Sequence, residues 1–261
     1  MTDLAKYGPW ALIIGGSEGV GAAFARKLAA DGFKLVLVAR KLEPLQQLSK
    51  ELAANGSEVR IASVDLSKHD SLQRVREVTD DIEVGMLIYN AGANNTRGNF
   101  VELDPEVYRS VINITVIGQS EFARHYGGLM RERRRGGIIL AGSLSGYMGS
   151  ASLAAYTAAK AFSRVFTESL WVECAPMGID VLHLNIGFTA TPAMARLGIN
   201  LSAATAPEIV AQEGLDNITN GPIWIAGGKA NWEIARKRSV VDGRADALRV
   251  LGTPPRETMG R

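Results

Sequence analysis

Trp10-Ala11-Leu12-Ile13-Ile14-Gly15-Gly16-Ser17-Glu18-Gly19-Val20-Gly21 is the stretch that decides how this chain folds. Five apolar residues run without a polar break, as in a strand buried on both faces of a parallel sheet. The run stops at glycines. Val20, Ala23, Phe24 and Leu28 then recur at helical spacing, and Asp31-Gly32 supplies a helix stop. Gly15, Ser17, Glu18, Gly19, Val20 and Gly21 therefore form a strand-to-helix turn, where backbone N–H groups and the helix N-terminus suit a pyrophosphate. A tight turn without a ligand is the competing reading, and the strand–turn–helix context favours the phosphate.

Outward from this unit the alternation repeats. Leu35 to Val38 is a second apolar run, followed by Ala39-Arg40-Lys41. In a dinucleotide fold an acid here binds a ribose 2′-hydroxyl, whereas arginine accommodates a 2′-phosphate. With Arg40 and Lys41 and no acid, the strand end favours NADP(H) over NAD(H). Pro44 suits the first turn of the next helix, which carries Leu45, Leu48 and Leu52 and ends at Asn55-Gly56. A third strand from Val59 leads to Val64-Asp65-Leu66. Asp65 is placed to meet an adenine amino group or to cap the helix after Ser67, and the sequence leaves both open. A fourth strand, Met86 to Tyr89, runs into Asn90-Ala91-Gly92-Ala93, small residues that let backbone approach a ligand.

Asp104-Pro105-Glu106 opens a long helix ending at Arg131-Glu132-Arg133-Arg134-Arg135, basic residues that suit the helix dipole better than they mark an anionic partner. Asn113 lies inside it among Val111, Ile112 and Ile114, where a buried amide needs a hydrogen-bond partner. Gly137 to Ala141 is a fifth strand and delivers Ser143. Leu153 to Cys174 is a helix with Tyr156 and Lys160 on one face. A Tyr-x-x-x-Lys pair alone is usually a solvated helix face. A serine at a neighbouring strand end changes that, because hydride chemistry at a carbonyl needs these three groups. The phenol is a proton donor, the ammonium favours its phenolate, and the hydroxyl holds an oxygen where charge develops. Phe162, Val165, Phe166, Leu170 and Trp171 make the same helix apolar on more than one side, as for a helix also covered by a second subunit.

Val181 to Leu184 is a sixth strand, and its His183 reads as a packed residue rather than a base. Asn185 to Pro192 follows, then a small-residue run, Ala193 to Leu201, expected to form a lid within 192–220. Pro222 to Ala226 is a seventh strand. Residues 1–228 read as one catalytic domain and 229–261 as a charged, partly irregular extension. Strand alternating with helix throughout means α/β with a doubly wound parallel sheet of about seven strands.

Composition excludes other classes. At 261 residues, 46% hydrophobic and 21% charged, the chain has ample apolar residues for a large core. A formal net charge of +2 argues against a nucleic-acid partner. Cys174 is the only cysteine, so neither an internal disulfide nor a cysteine metal cluster is expected. No signal peptide and no membrane span are expected, and a cytoplasmic location follows.

These motifs, over roughly residues 8 to 228, resemble the short-chain dehydrogenase/reductase family. Its Thr-Gly-x-x-x-Gly-x-Gly corresponds to Ile14 through Gly21, with Ile14 in place of the threonine. Its Asn-Asn-Ala-Gly corresponds to Tyr89-Asn90-Ala91-Gly92, with Tyr89 replacing an asparagine whose role is structural. The Pro-Gly after its sixth strand appears as Ile186-Gly187. The resemblance implies a Rossmann fold and a catalytic tetrad of Asn113, Ser143, Tyr156 and Lys160. It also implies cofactor contacts from Gly187, Thr189 and Thr191 as well as Asp65, Leu66, Asn90, Ala91, Gly92, Tyr156 and Lys160. NADP(H) exchanges hydride with a carbonyl, Tyr156 transfers the proton, and Lys160 lowers the tyrosine pKa and holds the nicotinamide ribose. Ser143 binds the substrate oxygen, and Asn113 anchors a water on the proton path. No metal is implied. A homodimer or homotetramer is.

Met148, Gly149, Ala151, Leu153 and the 194–201 segment offer apolar walls, so a lipophilic ketone or alcohol, such as a steroid, acyl chain or aryl ketone, is expected. A 3-oxoacyl carrier-protein reductase ranks second. It calls for basic residues both near Arg131–Arg135 and near Met177, and the latter site has none. A non-catalytic NADP-binding sensor ranks third, because it has no need of the full tetrad.

Overall fold

The computed structural model describes residues 1–92 and 97–252, with side chains through 249; Ala93 and the last nine residues of the expected extension lie outside it. Seven strands form one wholly parallel sheet: β1 (Trp10–Ile14), β2 (Lys34–Ala39), β3 (Val59–Ser63), β4 (Val84–Tyr89), β5 (Gly136–Ser143), β6 (Ile179–Ile186) and β7 (Ile223–Ile225). Their order is β3-β2-β1-β4-β5-β6-β7. The chain leaves β1 toward β2 on one side and later returns to β4 on the other. Such a reversal opens a crevice at the strand C-termini, the place where α/β sheets bind ligands.

The unbroken apolar run of β1 follows from its position. Ala11 and Ile13 enter a core with α2 (Gly19–Ala30) and α9 (Pro207–Asp216), while Leu12 and Ile14 enter the opposite one with Phe122 and Tyr126 of α6 (Gln119–Arg133). A strand flanked by strands and covered on both faces has no side for a polar residue. Burying each such side chain contributes roughly 1.5–3 kcal/mol. The turn after β1 is built by close approach. Gly15 has φ +83°, and a Cβ on Gly21 would stand 1.9 Å from the Gly15 carbonyl oxygen.

The helix expected from Asp104 to Arg135 is three segments: α5 (Pro105–Ile112), a π-helical turn (Asn113–Gly118) and α6. The wide turn has a sequence cause. Tyr89 donates its hydroxyl to the Ile114 carbonyl at 2.6 Å, and Gly118 leaves room for it, since a Cβ there would meet the Tyr89 oxygen at 2.3 Å. Asn113 is accordingly exposed at the start of the turn rather than buried among its apolar neighbours. Three of the arginines that follow have internal partners. Arg133 donates to the Val84 carbonyl and Arg134 to the Pro176 carbonyl, both at 2.8 Å, and Arg135 donates to the Ala5 carbonyl at 2.6 Å and pairs with Glu83.

The expected lid over 192–220 divides in two. Pro192–Arg196 (α8) and the residues up to 206 have no buried side chain, whereas α9 sends Val210, Ala211 and Leu215 into the core against α2. The extension is more regular than expected: α10 (Lys229–Ser239) and α11 (Arg244–Gly252) follow β7, and Ala235 packs on Leu144 and Ile225. A short α1 (Leu4–Tyr7), not anticipated from sequence, places Tyr7 against the core with its hydroxyl on Asp180. Residues 42–54 form α3 (Leu42–Ala54), Ser71–Arg76 form α4, and Ala154–Cys174 form α7.

Candidate active site

Every candidate residue lies at the C-terminal edge of the sheet or on the helices above it. The glycine turn follows β1, Arg40 and Lys41 follow β2, and Asp65 and Leu66 follow β3. Asn90 to Gly92 follow β4, Ser143 ends β5, and Gly187 to Thr191 follow β6. The turn after β1 is tied to both neighbours: Gly15 N–H donates to the Val38 carbonyl at 2.7 Å, and Asn90 N–H donates to the Ile14 carbonyl at 2.8 Å. The backbone approaches itself too closely at Gly21 for a side chain there, and the N-terminus of α2 follows directly on the turn, as a pyrophosphate site requires. Arg40 and Lys41 are both exposed beside it.

Ser143, Tyr156 and Lys160 converge. Burial pushes the Tyr156 phenol above its ordinary value, and a hydrogen bond with Ser143 acts in the opposite direction. Lys160 is 3% exposed and its Nζ lies 5.9 Å from the centre of the Tyr156 ring. It donates to the Ala141 carbonyl at 2.9 Å, and burial lowers its pKa to about 8. The ammonium is thus held by the strand that carries Ser143. A Cβ on Gly92 would lie 3.4 Å from Lys160 Nζ, so the small residues after β4 bring backbone up to the lysine.

Asn113 stands apart from this trio. Its Nδ2 donates to the Ser67 carbonyl at 3.0 Å. Asp65 accepts from both the Ser67 N–H and hydroxyl, at 3.0 and 2.8 Å. Asp65 therefore closes a local turn, and α4 takes Asp70 as its N-terminal flanking residue instead. These bonds link the wide helical turn to the loop after β3. Thr191 accepts from Met194 N–H at 3.3 Å and so caps α8, while Thr189 donates to the Gly187 carbonyl at 3.2 Å. Glu18 accepts from the Nη1 and Nη2 of Arg196.

Several residues of the site were not singled out in the sequence. Thr115 is buried, its hydroxyl has no partner among the described residues, and a Cβ on Gly92 would stand 2.8 Å from it. His183 is packed, as read from sequence, but in polar company: its Nδ1 lies 2.8 Å from Asn185 Nδ2, which also reaches Tyr147 Oη at 3.4 Å. Burial, with Lys160 and Arg164 nearby, lowers the His183 pKa to about 3. Polar residues inside an otherwise apolar strand were the available signal. The expected apolar walls do not line one apolar cavity that the structure contains. That cavity, about 420 Å³, lies between α5 and α7 and is lined by Phe100, Ile112, Val116, Ala155 and Ala158 among others.

A doubly wound sheet, a glycine turn at its switch point, and a serine, tyrosine and lysine gathered at the same edge define a nicotinamide-dependent oxidoreductase of CH–OH groups. The chain belongs to the short chain dehydrogenase family, whose profile matches residues 9–201. It is 33% identical over 252 residues to the 7beta-hydroxysteroid dehydrogenase of Clostridium sardiniense, covering 95% of each chain. It is 32% identical over 204 residues to a very-long-chain 3-oxoacyl-CoA reductase of Neurospora crassa, covering 75% of this chain and 61% of that one. A solved structure from work on 7beta-hydroxysteroid dehydrogenase stereoselectivity superposes with a TM-score of 0.90 at 28% identity, over 97% of this chain and 100% of that one. A short-chain dehydrogenase from Sphingobium yanoikuyae in complex with NADPH superposes with a TM-score of 0.79 at 26% identity, over 97% and 98%. Among the described residues no helix is long and apolar enough to cross a membrane.

Proposed function

We propose that this enzyme exchanges hydride between NADP(H) and a lipophilic ketone or secondary alcohol, with a hydroxysteroid bearing its reactive group at ring position 7 as the first substrate to test. The observation that carries the chemistry is the buried lysine, strand-end serine and tyrosine sharing one site. Near end-to-end similarity to a 7beta-hydroxysteroid dehydrogenase supports the substrate class. The dinucleotide, when bound, supplies the hydride in reduction and takes it in oxidation. Tyr156 delivers a proton to the substrate oxygen in reduction and recovers it in oxidation. Ser143 holds that oxygen, and the Lys160 charge favours the phenolate. Asn113, exposed at the wide turn, is proposed to anchor a water on the path by which Lys160 is reprotonated.

NADP(H) is the proposed cofactor because Arg40 and Lys41 follow β2 where a 2′-hydroxyl reader would carry an acid. Catalytic efficiency with NADPH and NADH tests this, with Ala39→Asp as the reversing variant. Equal use of both cofactors by the wild type sinks the cofactor reading and leaves the proposed chemistry standing. For the substrate, NADPH consumption is followed with 7-oxosteroids, long 3-oxoacyl thioesters and aryl ketones. The steroid is expected to be turned over best.

A 3-oxoacyl thioester is the second reading, favoured by similarity to the Neurospora crassa reductase. Docking of a carrier protein has less support, because Arg133, Arg134 and Arg135 are engaged within the chain. Assembly through α7 is also proposed: Val165 and Val172 are 51% and 64% exposed, and Phe162 stacks on Phe166 at 5.3 Å on the same surface. Light scattering that finds a monomer at micromolar concentration overturns it.

A further inference from the structure

Glu18 is the acidic side chain of the glycine turn, and Arg196 closes α8, 178 residues later. Arg196 Nη1 donates to Glu18 Oε2 at 3.0 Å while Nη2 donates to Oε1, a two-point contact. The two elements also touch through backbone and methyl groups. A Cβ on Gly19 would lie 3.1 Å from Thr191 Cγ2 and 3.8 Å from Pro192 Cδ, so the absence of one lets the base of the exposed segment sit on the turn. Lys41 is near enough to add to the effect of Arg196 in holding the Glu18 carboxyl below its ordinary value. The carboxylate thus has an arginine of α8 as its hydrogen-bonding partner and a lysine after β2 as a weaker charged neighbour.

The pair is not there chiefly for stability. Arg196 and Glu18 side chains are 52% and 35% exposed, and ion pairs so open to water contribute little to folding. Its position matters more. A negative charge beside the β2 end opposes a dianionic phosphate, and a guanidinium fixed on that charge removes the opposition.

We propose that Arg196 is a specificity-determining residue: by masking the Glu18 carboxylate it lets the Arg40–Lys41 end of β2 accept the 2′-phosphate of NADP(H), and it ties the base of α8 to that choice. This rests on the NADP(H) reading above.

The test is equilibrium binding by calorimetry, with adenosine 2′,5′-bisphosphate and 5′-AMP as probes, so that no turnover is involved. Arg196→Met is expected to weaken the bisphosphate about three- to tenfold while changing 5′-AMP less than about twofold. Adding Glu18→Gln to that variant is expected to restore bisphosphate binding, and raised salt is expected to shrink the difference. An equal loss for both probes would make Arg196 only an anchor for α8 and overturn the inference. So would unchanged bisphosphate binding in Arg196→Met, or a double variant that stays weak. Wild-type protein that binds the two probes equally would sink the NADP(H) reading itself, an outcome distinct from the others because it needs no variant.

Discussion

The two ends of the crevice work by different physics. On the β1–β2 side the buried strand positions are all apolar, and the strand ends present close-packed backbone at Gly15 and Gly21 with exposed cations at Arg40 and Lys41. On the β5–β6 side polar groups are buried: His183 and Asn185 fully within β6, and Lys160 of α7 nearly so. Exposed charges act through a screened field and are individually worth little. Buried polar groups act through fixed geometry in a poorly screened medium, so each is worth more and tolerates less. Changes on the second side should therefore have the larger effects.

Tyr156→Phe gives the largest. It removes one hydroxyl and is expected to lower kcat by ~10²–10⁴-fold with dinucleotide binding nearly unchanged. A variant retaining more than about a tenth of wild-type kcat breaks the assignment. Ser143→Ala comes next, with a loss on the order of 10²-fold in kcat, as for one oxyanion donor. Raised KM at unchanged kcat would instead make Ser143 a uniform binding contact. On the cofactor side Arg40→Ala is expected to reduce the NADPH-to-NADH ratio of kcat/KM by about tenfold, the lower end for a hydrogen bond to a charged group. A larger loss there than at Ser143 would reverse the comparison.

The remaining effects are on stability, and the first concerns His183. Burial lowers its pKa from 6.5 to about 3, so as pH falls the unfolded chain takes the proton first. The stabilising contribution is complete above pH 6.5 and is lost on the way down to about 3. Each pH unit in that window removes about 1.4 kcal/mol. Urea unfolding of wild type and His183→Gln at several pH values checks this. The variant should show a shallower pH slope, and identical slopes would mean that His183 does not titrate on unfolding. The lysine has the same sign in another window. Burial sets Lys160 at about 8 against 10.5, so its contribution rises with pH between those values.

The Gly142–His183 contact sharpens the same contrast. A Cβ on Gly142 would stand 2.1 Å from the imidazole Cε1, so Gly142→Ala is expected to destabilise by about 1–3 kcal/mol, as overpacking does. Thermal unfolding measures it, and an unchanged midpoint would show that the ring has room to move.

Much of this was readable in the chain because it rests on local rules. Period and punctuation gave the strands and the helix of the glycine turn, since a strand covered on both faces admits only apolar residues. The spacing of Tyr156 and Lys160 put them on one helix face, and Ser143 at the end of an apolar run put it beside them. The position of Arg40 was legible for the same reason, exposed directly after β2. Non-local partners were not legible. No pattern around Glu18 announces an arginine from α8, and none around Asn113 announces the Ser67 carbonyl. The division of 192–220 into an exposed segment and a core helix depended on the α2 surface awaiting α9. Tyr89, standing where the family carries an asparagine, satisfies the Ile114 carbonyl inside a π turn that Gly118 allows, a partner no local pattern specifies. Periodicity reports which face of an element is buried, because burial recurs along the chain. It is silent on which distant side chain completes a hydrogen bond, because that is fixed only when the sheet brings its strand ends together.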